Sequence, residues 1–455
     1  MPSAPRIRVR MCARPIDEPH RVSSQLELVF DLTFVIAVAA VTAEFAHSIA
    51  DGHARSGVLP FLQVFFAIWW AWMNFTWFAS SYDTDDVAYR LLTMVQMGGV
   101  LVLAAGVPAA ADRSDYLGVA LGYVIMRSGL VAQWLRAGIE YPAGRRTAFR
   151  YATGIGVLQL GWIAWLVLSA TDVLPSSARG PVFAGLVVLE LSVPWWAERT
   201  GTTNWHPHHI AERYGLFTII LLGESVLAAS TGLQNALTTS RVTGSLVAIS
   251  AASLVLLFAL WWLYFLEPAG EGLAERREGS YWWGYGHYGL FAALAALGSG
   301  LEVAVEQTAR SEPISATVTG YAVAIPTALF LVLLRAVHRP IVARPALRPG
   351  PLLAAVAAIA LVPLGAPTLG VPAVVGVIAA VTVLLIVGTL TRLRWSEAVP
   401  GTQLVRVQHD PDGGDLEPDD AQADDRDGSA GAPDDEAGAP IDGLDGQPGA
   451  GLTGQ

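Results

Sequence analysis

Lysine is missing altogether, and every one of the 28 basic residues is arginine. With abundant Ala and Gly, that bias reads as nucleotide composition and carries little about function. Cysteine is nearly missing as well. Cys12 stands alone, which excludes an intramolecular disulfide and a thiolate metal cluster. Charge is scarce, at 15% of residues where a soluble domain carries about a quarter. Ten-residue alternating segments are absent, so a membrane β-barrel is not expected. There is no phosphate loop, no Rossmann fingerprint and no nucleophile elbow, so nothing points to ATP-driven transport by this chain alone. There is no basic stripe for nucleic acid either.

What fills the chain is apolar. Hydrophobic residues make up 53%, and the mean hydropathy is +0.46. Runs of about 20 apolar residues recur, the length a helix needs to cross a bilayer. Backbone polar groups in lipid must be satisfied within the segment, so helices are the expected spanning form. The expected fold is all-α: a polytopic transmembrane bundle of about twelve spans, at 28–50, 58–79, 88–110, 116–136, 151–170, 180–197, 209–230, 243–266, 284–307, 314–336, 351–367 and 371–391. The long apolar run after the polar first 25 residues carries Asp31 and Glu44. It reads as a span rather than a cleaved signal peptide.

The net charge of −11 is a property of the tail. Residues 407–455 hold fourteen acids and one Arg, a net of −13; residues 1–406 hold 27 Arg and 25 acids, a net of +2. Three parts follow. Residues 1–25 form a basic arm, 26–396 the membrane domain, and 397–455 an acidic tail too poor in apolar residues to fold. The tail reads either as an interaction segment or as a solubilising extension.

If the N-terminus is cytoplasmic and loops alternate, twenty Arg fall on the cytoplasmic side and five outside. Positive charge concentrates on the inner side of membrane proteins. The expectation is a bacterial inner-membrane protein with both termini cytoplasmic. A faint internal repeat accompanies this. Glu27-Leu-Val-Phe-Asp-Leu-Thr-Phe-Val-Ile36 opens span one, and Glu212-Arg-Tyr-Gly-Leu-Phe-Thr-Ile-Ile220 opens span seven. In each case the next span ends in an aromatic cluster, around Trp69–Phe75 and Trp261–Phe265. Two parallel six-span halves, 26–200 and 206–394, are a candidate organisation of the kind transporters use. Such Trp clusters also mark membrane interfaces generally.

An ionisable group inside lipid costs a few kcal/mol and asks for a partner or a cavity. Glu27 and Asp31, four apart, share a helix face near the cytoplasmic end. Arg127 sits mid-span and needs an acid; Asp31 and Glu190 are the natural candidates. Their pairing reads as a substrate- or proton-coupled ion pair, or as a structural pin between helices. Glu224 lies deep in an apolar helix with no base nearby, suited to carry a proton or to donate a hydrogen bond. Glu302 and Glu306 lie toward the outer end of span nine and face a vestibule or plain water. Asp83-Thr-Asp85-Asp86 leads into span three, where Asp85 or Asp86 caps the helix and Asp86 pairs with Arg90. His208, His209 and Glu212 resemble metal ligands in type, but their spacing matches no zinc motif. Gly118 and Gly122 form a GxxxG suited to close helix packing.

Several segments together resemble the bacterial low temperature requirement protein A family. They are Glu27-Leu-Val-Phe-Asp31-Leu-Thr-Phe-Val35, Asp83-Thr-Asp-Asp86 with Arg90-Leu-Leu-Thr-Met, and Trp205-His-Pro-His-His-Ile-Ala-Glu212-Arg-Tyr-Gly-Leu-Phe-Thr218 running to Leu222-Gly-Glu224-Ser. Tyr281-Trp282 and His287-Tyr288 leading to Gly300-Leu-Glu302 complete the set. The resemblance covers about residues 20–395. It implies a multi-pass membrane protein and marks Glu27, Asp31, His209, Glu212, Arg213, Glu224, His287 and Glu302 as family positions. It supplies no substrate.

The leading expectation is a secondary transporter or permease for a small solute or ion, proton-coupled, without cofactor and without enzymatic activity. Asp31 and Glu224 would be proton or cation sites in the two halves, and Arg127 a counter-ion. A non-transporting stress or assembly factor acting through partners is the second expectation. An intramembrane metal-dependent enzyme using the cluster from His206 to Glu212 is the third.

Overall fold

The computed structural model describes residues 7–19, 21–238, 243–310 and 314–398, with the backbone alone at 228–229, 231–238, 310 and 395–398. Every regular element among them is helical. In order they are α1 (Gln25–Ala50), α2 (Ala54–Tyr82), α3 (Val87–Arg113), α4 (Leu117–Glu140), α5 (Arg145–Ala170), α6 (Ser176–Glu198) and α7 (Pro207–Thr238). Then follow α8 (Gly244–Tyr264), α9 (Ala269–Glu275), α10 (Ser280–Arg310), α11 (Ala316–His338), α12 (Pro349–Leu361), α13 (Ala366–Leu369) and α14 (Val371–Ala398). The tail expected from 397 lies outside the described residues save for the end of α14.

Eleven helical stretches among the described residues are long and apolar enough to cross a membrane. α7, with 32 residues, is a further long helix and carries the seventh expected span. The span expected at 351–367 is broken: α12 gives way to a 3-10 turn at Val362–Gly365, then to the short α13. Pro363 causes the break, because it lacks the N–H an α-helix needs there. Lipid is written on the outside of the bundle. Leu32, Leu160, Val188, Leu361 and Leu384 are each 63–67% exposed. A surface this rich in large apolar side chains has no place in water.

Local chemistry sets the helix starts. Ser24 caps α1 in a reciprocal box: its hydroxyl accepts the Glu27 N–H, and the Glu27 carboxylate accepts the Ser24 N–H at 2.7 Å. Asp86 caps α3 by accepting the Tyr89 N–H at 3.0 Å. The expected pairing of Asp86 with Arg90 does not form. Arg90 instead binds Asp85 through two 2.7 Å hydrogen bonds. Asp86 receives Arg136 of α4 at 2.8 and 2.5 Å. Asp85 takes a left-handed φ of 47°, which turns its carboxylate out to Arg90 and leaves Asp86 facing inward.

One end of the bundle is laced together by polar bonds. The arm is no loose extension: Val9 N–H donates to Asp86, Met11 N–H to Glu140, and Arg14 N–H to the Ser81 carbonyl. Ser23 N–H donates to Glu212, and Arg277 to the Trp205 carbonyl. The arm, the α2–α3 and α4–α5 turns, the α6–α7 connection and the start of α10 therefore share this Arg-rich end.

α3 and α4 make the most extensive helix–helix contact. A Cβ on Gly122 would stand 2.3 Å from the Leu103 nitrogen, and one on Gly106 would stand 2.5 Å from the Val119 nitrogen. The GxxxG of α4 thus meets Gly99 and Gly106, spaced seven apart on α3. The neighbour relations of the two halves correspond. α1 packs on α2 and α3, and α7 packs on α8 and α10; α3–α4–α5–α6 forms a chain of neighbours, as does α10–α11–α12–α14. The halves also differ: α8 packs extensively on α14, α14 further contacts α10 and α11, and α2 packs on α4. α1 and α7 touch each other between the halves.

Candidate functional site

Where α1 meets α7, their charges interlock. Counted from each helix start, Glu27 and Asp31 are the third and seventh residues of α1, and His209 and Arg213 the third and seventh of α7. Two acids on one helix stand at the depth of two basic side chains on the other. Arg213 donates from Nε to Asp31 Oδ2 at 2.9 Å and from Nη2 to Asp31 Oδ1 at 2.6 Å. Its Nη1 lies 2.9 Å from Glu27 Oε1, and His209 Nε2 lies 3.1 Å from the same oxygen. Neither of these last contacts has hydrogen-bond alignment; the first is an ion-pair approach and the second a close contact of the imidazole with the carboxylate. All four side chains are buried.

The charges continue outward in alternating sign. Arg21 lies 3.7 Å from Glu27 and 3.6 Å from Asp83, and Arg14 lies 3.8 Å from Asp83 and binds Glu18. The sequence Glu18, Arg14, Asp83, Arg21, Glu27, Arg213, Asp31 thus runs from the Arg-rich end to about 10 Å along α1. Asp83, in the turn after α2, is pushed up to about 6 by burial and by the Glu27 charge, against the pull of Arg21 and Arg14. Asp86 goes the other way. Burial opposes its charge, but Arg136 and the N–H groups of Val9 and Tyr89 outweigh it and bring it down to about 2. Two carboxylates three positions apart are thereby set apart: one fixed as an anion, one able to take a proton near neutrality.

The inner end of this chain is capped by aromatic rings. Trp72 Nε1 donates to Asp31 Oδ1 at 2.7 Å. Its ring lies 4.3 Å from that of Phe217, which lies 5.1 Å from that of Phe291. Beyond them the α1–α7–α10 seam turns polar again: Ser299 donates to the Thr42 carbonyl at 2.7 Å, and Ser225 lies against Gly298. At the far end Glu302 sits within electrostatic reach of Glu306, His47 and Glu224.

Arg127 belongs to a second centre. It pairs with Glu190 of α6 at 2.5 Å. Asp31, the other expected partner, is taken by Arg213, because α1 faces α7 and α6 faces α5. Glu190 also accepts from Trp70 at 2.8 Å, Trp162 at 3.1 Å, Tyr123 at 3.2 Å and Gln159 at 3.5 Å. Five donors saturate this carboxylate, and the pair reads as a pin joining α2, α4, α5 and α6.

The expected site residues therefore divide. Glu27 and Asp31 gather on Arg213, with His209 against Glu27; Arg127 and Glu190 form the separate pin. Glu224 is half-buried eleven positions beyond Arg213 on α7, about 16 Å along the helix, with Glu302 at the opposite end of the seam. His208 is exposed and lies against Gly270, while Glu212 accepts the Ser23 N–H at 3.2 Å. The three metal-type side chains thus point to three places, and among the described residues no group of three His, Cys, Asp or Glu could hold a metal ion. Reading the residues alone gave Arg213 no partner, and read the cluster holding Trp70 and Trp72 as part of an internal repeat or as an interface marker. Both tryptophans are buried donors to carboxylates. The signal was the matched spacing, acids at the third and seventh positions of one helix and bases at those of another.

The chain resembles one curated relative, an uncharacterized protein of Rhizobium meliloti (strain 1021), with 28% identity over 284 residues. That match covers 57% of this chain and 64% of the relative. No solved structure matches the chain. Residues 22–388 match the model of the bacterial low temperature requirement A proteins. These residues hold α1 to α13 and the buried junction of Glu27, Asp31, His209 and Arg213, and the protein belongs to the bacterial low temperature requirement A (LtrA) family.

Proposed function

We propose that this chain is a proton-coupled permease for a small solute or ion, set in the bacterial cytoplasmic membrane with its Arg-rich end and both termini inside. The observation that carries this reading is the buried junction of Glu27 and Asp31 with Arg213, on the helices that open the two halves. A buried charge in lipid is retained for work or for specificity, because a hydrophobic replacement would cost less. One guanidinium here serves two carboxylates. A proton or a cationic cargo arriving at either one competes with Arg213, and the guanidinium then holds one partner fewer. That exchange changes what binds α1 to α7, which ties occupancy to the packing of one half on the other. Asp83 stands at the entrance and takes protons from the inner solution. The Trp72, Phe217 and Phe291 rings separate this entrance from the polar far end, as an occluded permease requires. The corresponding neighbour relations of the two halves support a parallel repeat, in which such a junction lies near the axis between them.

The test is electrical. Proteoliposomes on a solid-supported membrane are given a pH step together with panels of small solutes, and the current is compared with that of Glu27→Gln and Asp31→Asn proteins. Wild type yields a current that rises with one solute class and both variants lose it. If no solute or pH step moves charge through wild type, the permease reading is wrong.

A further inference from the structure

A partly open box of aromatic rings lies at the Arg-rich end, apart from the charge chain. Trp77 of α2, Trp134 of α4, Tyr151 of α5, Trp205 before α7, and Tyr281 and Tyr285 of α10 line a cavity of about 40 Å³. That is roughly three times the space one water needs. Glu198, at the end of α6, lines the same cavity.

The polar hydrogens of the box are largely committed elsewhere. Tyr151 and Tyr281 donate their hydroxyls to Glu198 at 3.1 and 2.9 Å, and Thr203 does so at 2.6 Å. Tyr285 donates to the Leu191 carbonyl at 3.0 Å, and Trp77 to the Tyr214 hydroxyl at 3.0 Å. Asn74 also lines the cavity; its amide N–H donates to the Trp70 carbonyl, which leaves its Oδ1 as an acceptor. The cavity therefore offers ring surfaces, one carboxylate, one amide oxygen and the hydroxyls of Thr203 and Ser280. No basic side chain lines it. Arg277 stacks on Trp205 at 3.8 Å, so a guanidinium already uses this ring as a cation platform.

Aromatic surface recognises a cation through its negative quadrupole, and recognition strengthens when the cation is desolvated. A carboxylate beside the rings supplies the counter-charge and rejects anions. We propose that this box binds a small organic cation, an ammonium group bearing methyl substituents. Its location fits a receiving site: Asn74 is hydrogen-bonded to the tryptophan that holds Glu190, and Trp77 to the tyrosine that follows Arg213. Occupation would be felt by both buried ion pairs. Binding does not rest on the permease reading, since it requires no movement of solute.

The test is calorimetric titration of the full chain in detergent micelles, using the series from methylammonium to tetramethylammonium. Tert-butanol serves as a neutral probe of similar shape. Saturable binding is expected for the methylated cations, at least about tenfold tighter than for tert-butanol. Glu198→Gln should weaken it by about tenfold or more, and Trp205→Phe, which keeps a ring, by less than Trp205→Leu. Should these variants fail to fold, the wild-type comparison of cation with neutral probe still decides. Equal affinity for tert-butanol and tetramethylammonium, or no saturation by any member of the series, overturns the proposal. Cation binding without any current in proteoliposomes would sink the permease reading and leave the box standing.

Discussion

Asp31 and Arg213, 182 positions apart, face each other as the seventh residues of α1 and α7 and share two hydrogen bonds of 2.9 and 2.6 Å. Arg213 in turn reaches Glu27, so the pair is one link in a chain of charges rather than an isolated bridge.

Removing the guanidinium leaves two carboxylates buried against each other. Arg213→Ala should lower unfolding stability by about 3–5 kcal/mol, the usual cost of orphaning a buried charge. Arg213→Ala combined with Asp31→Asn should recover part of that loss. Thermal unfolding in detergent of wild type, both singles and the double variant measures the coupling. Strict additivity would show that the two side chains do not interact.

The second centre has the opposite character. Glu190 is met by five donors, and Glu190→Gln strands Arg127 in the core. The expected result is a loss of about 3–5 kcal/mol, with transport by the surviving folded fraction unchanged. Specific activity per folded molecule is the quantity to measure, and a folded but inactive variant would contradict the structural role.

Asp83 gives a pH dependence of defined sign. Its folded carboxyl is raised from the ordinary 3.8 to about 6, so the folded chain binds this proton more tightly than the unfolded one. Stability from this group is complete below about pH 4 and is lost as pH rises through 6. The total is on the order of 3 kcal/mol. Asp83→Asn should remove that slope and be more stable than wild type above pH 6. Melting temperatures at pH 5 and 7.5 check this, and parallel profiles for the two proteins would contradict it.

Helix packing gives the sharpest contrast between glycines. Gly122→Ala drives a Cβ to within 2.3 Å of the Leu103 backbone, while a Cβ on Gly156 meets nothing within 4 Å. The first substitution should cost several kcal/mol or abolish folded yield, and Gly156→Ala should be neutral within about 0.5 kcal/mol. Equal yields by size-exclusion chromatography would contradict the close approach of α3 and α4.

Much of this was readable in the sequence. Apolar length marked the spans, the Asp85-Asp86 pair the cap of α3 and Gly118-x-x-x-Gly122 the packing face of α4, because each depends on residues near one another in the chain. Glu27 and Asp31 stood out because an acid in lipid needs a partner. Which partner was not readable: Asp31 and Glu190 were equal candidates for Arg127, and only the packing of α1 on α7 and α6 on α5 separates them. Arg213 was hidden by its place near a helix start, where an arginine ordinarily reaches water. Trp70 and Trp72 were hidden because an indole in a span reads as apolar, although its N–H is a donor.

The most direct test of the account is charge movement through Asp31→Asn protein. It removes one carboxylate charge from the junction while keeping its shape and its place beside Trp72. The account predicts a protein that folds and inserts as wild type does, yet carries no proton-coupled current in proteoliposomes. Undiminished current from the folded Asp31→Asn protein would contradict the claim that the α1–α7 junction is the working centre.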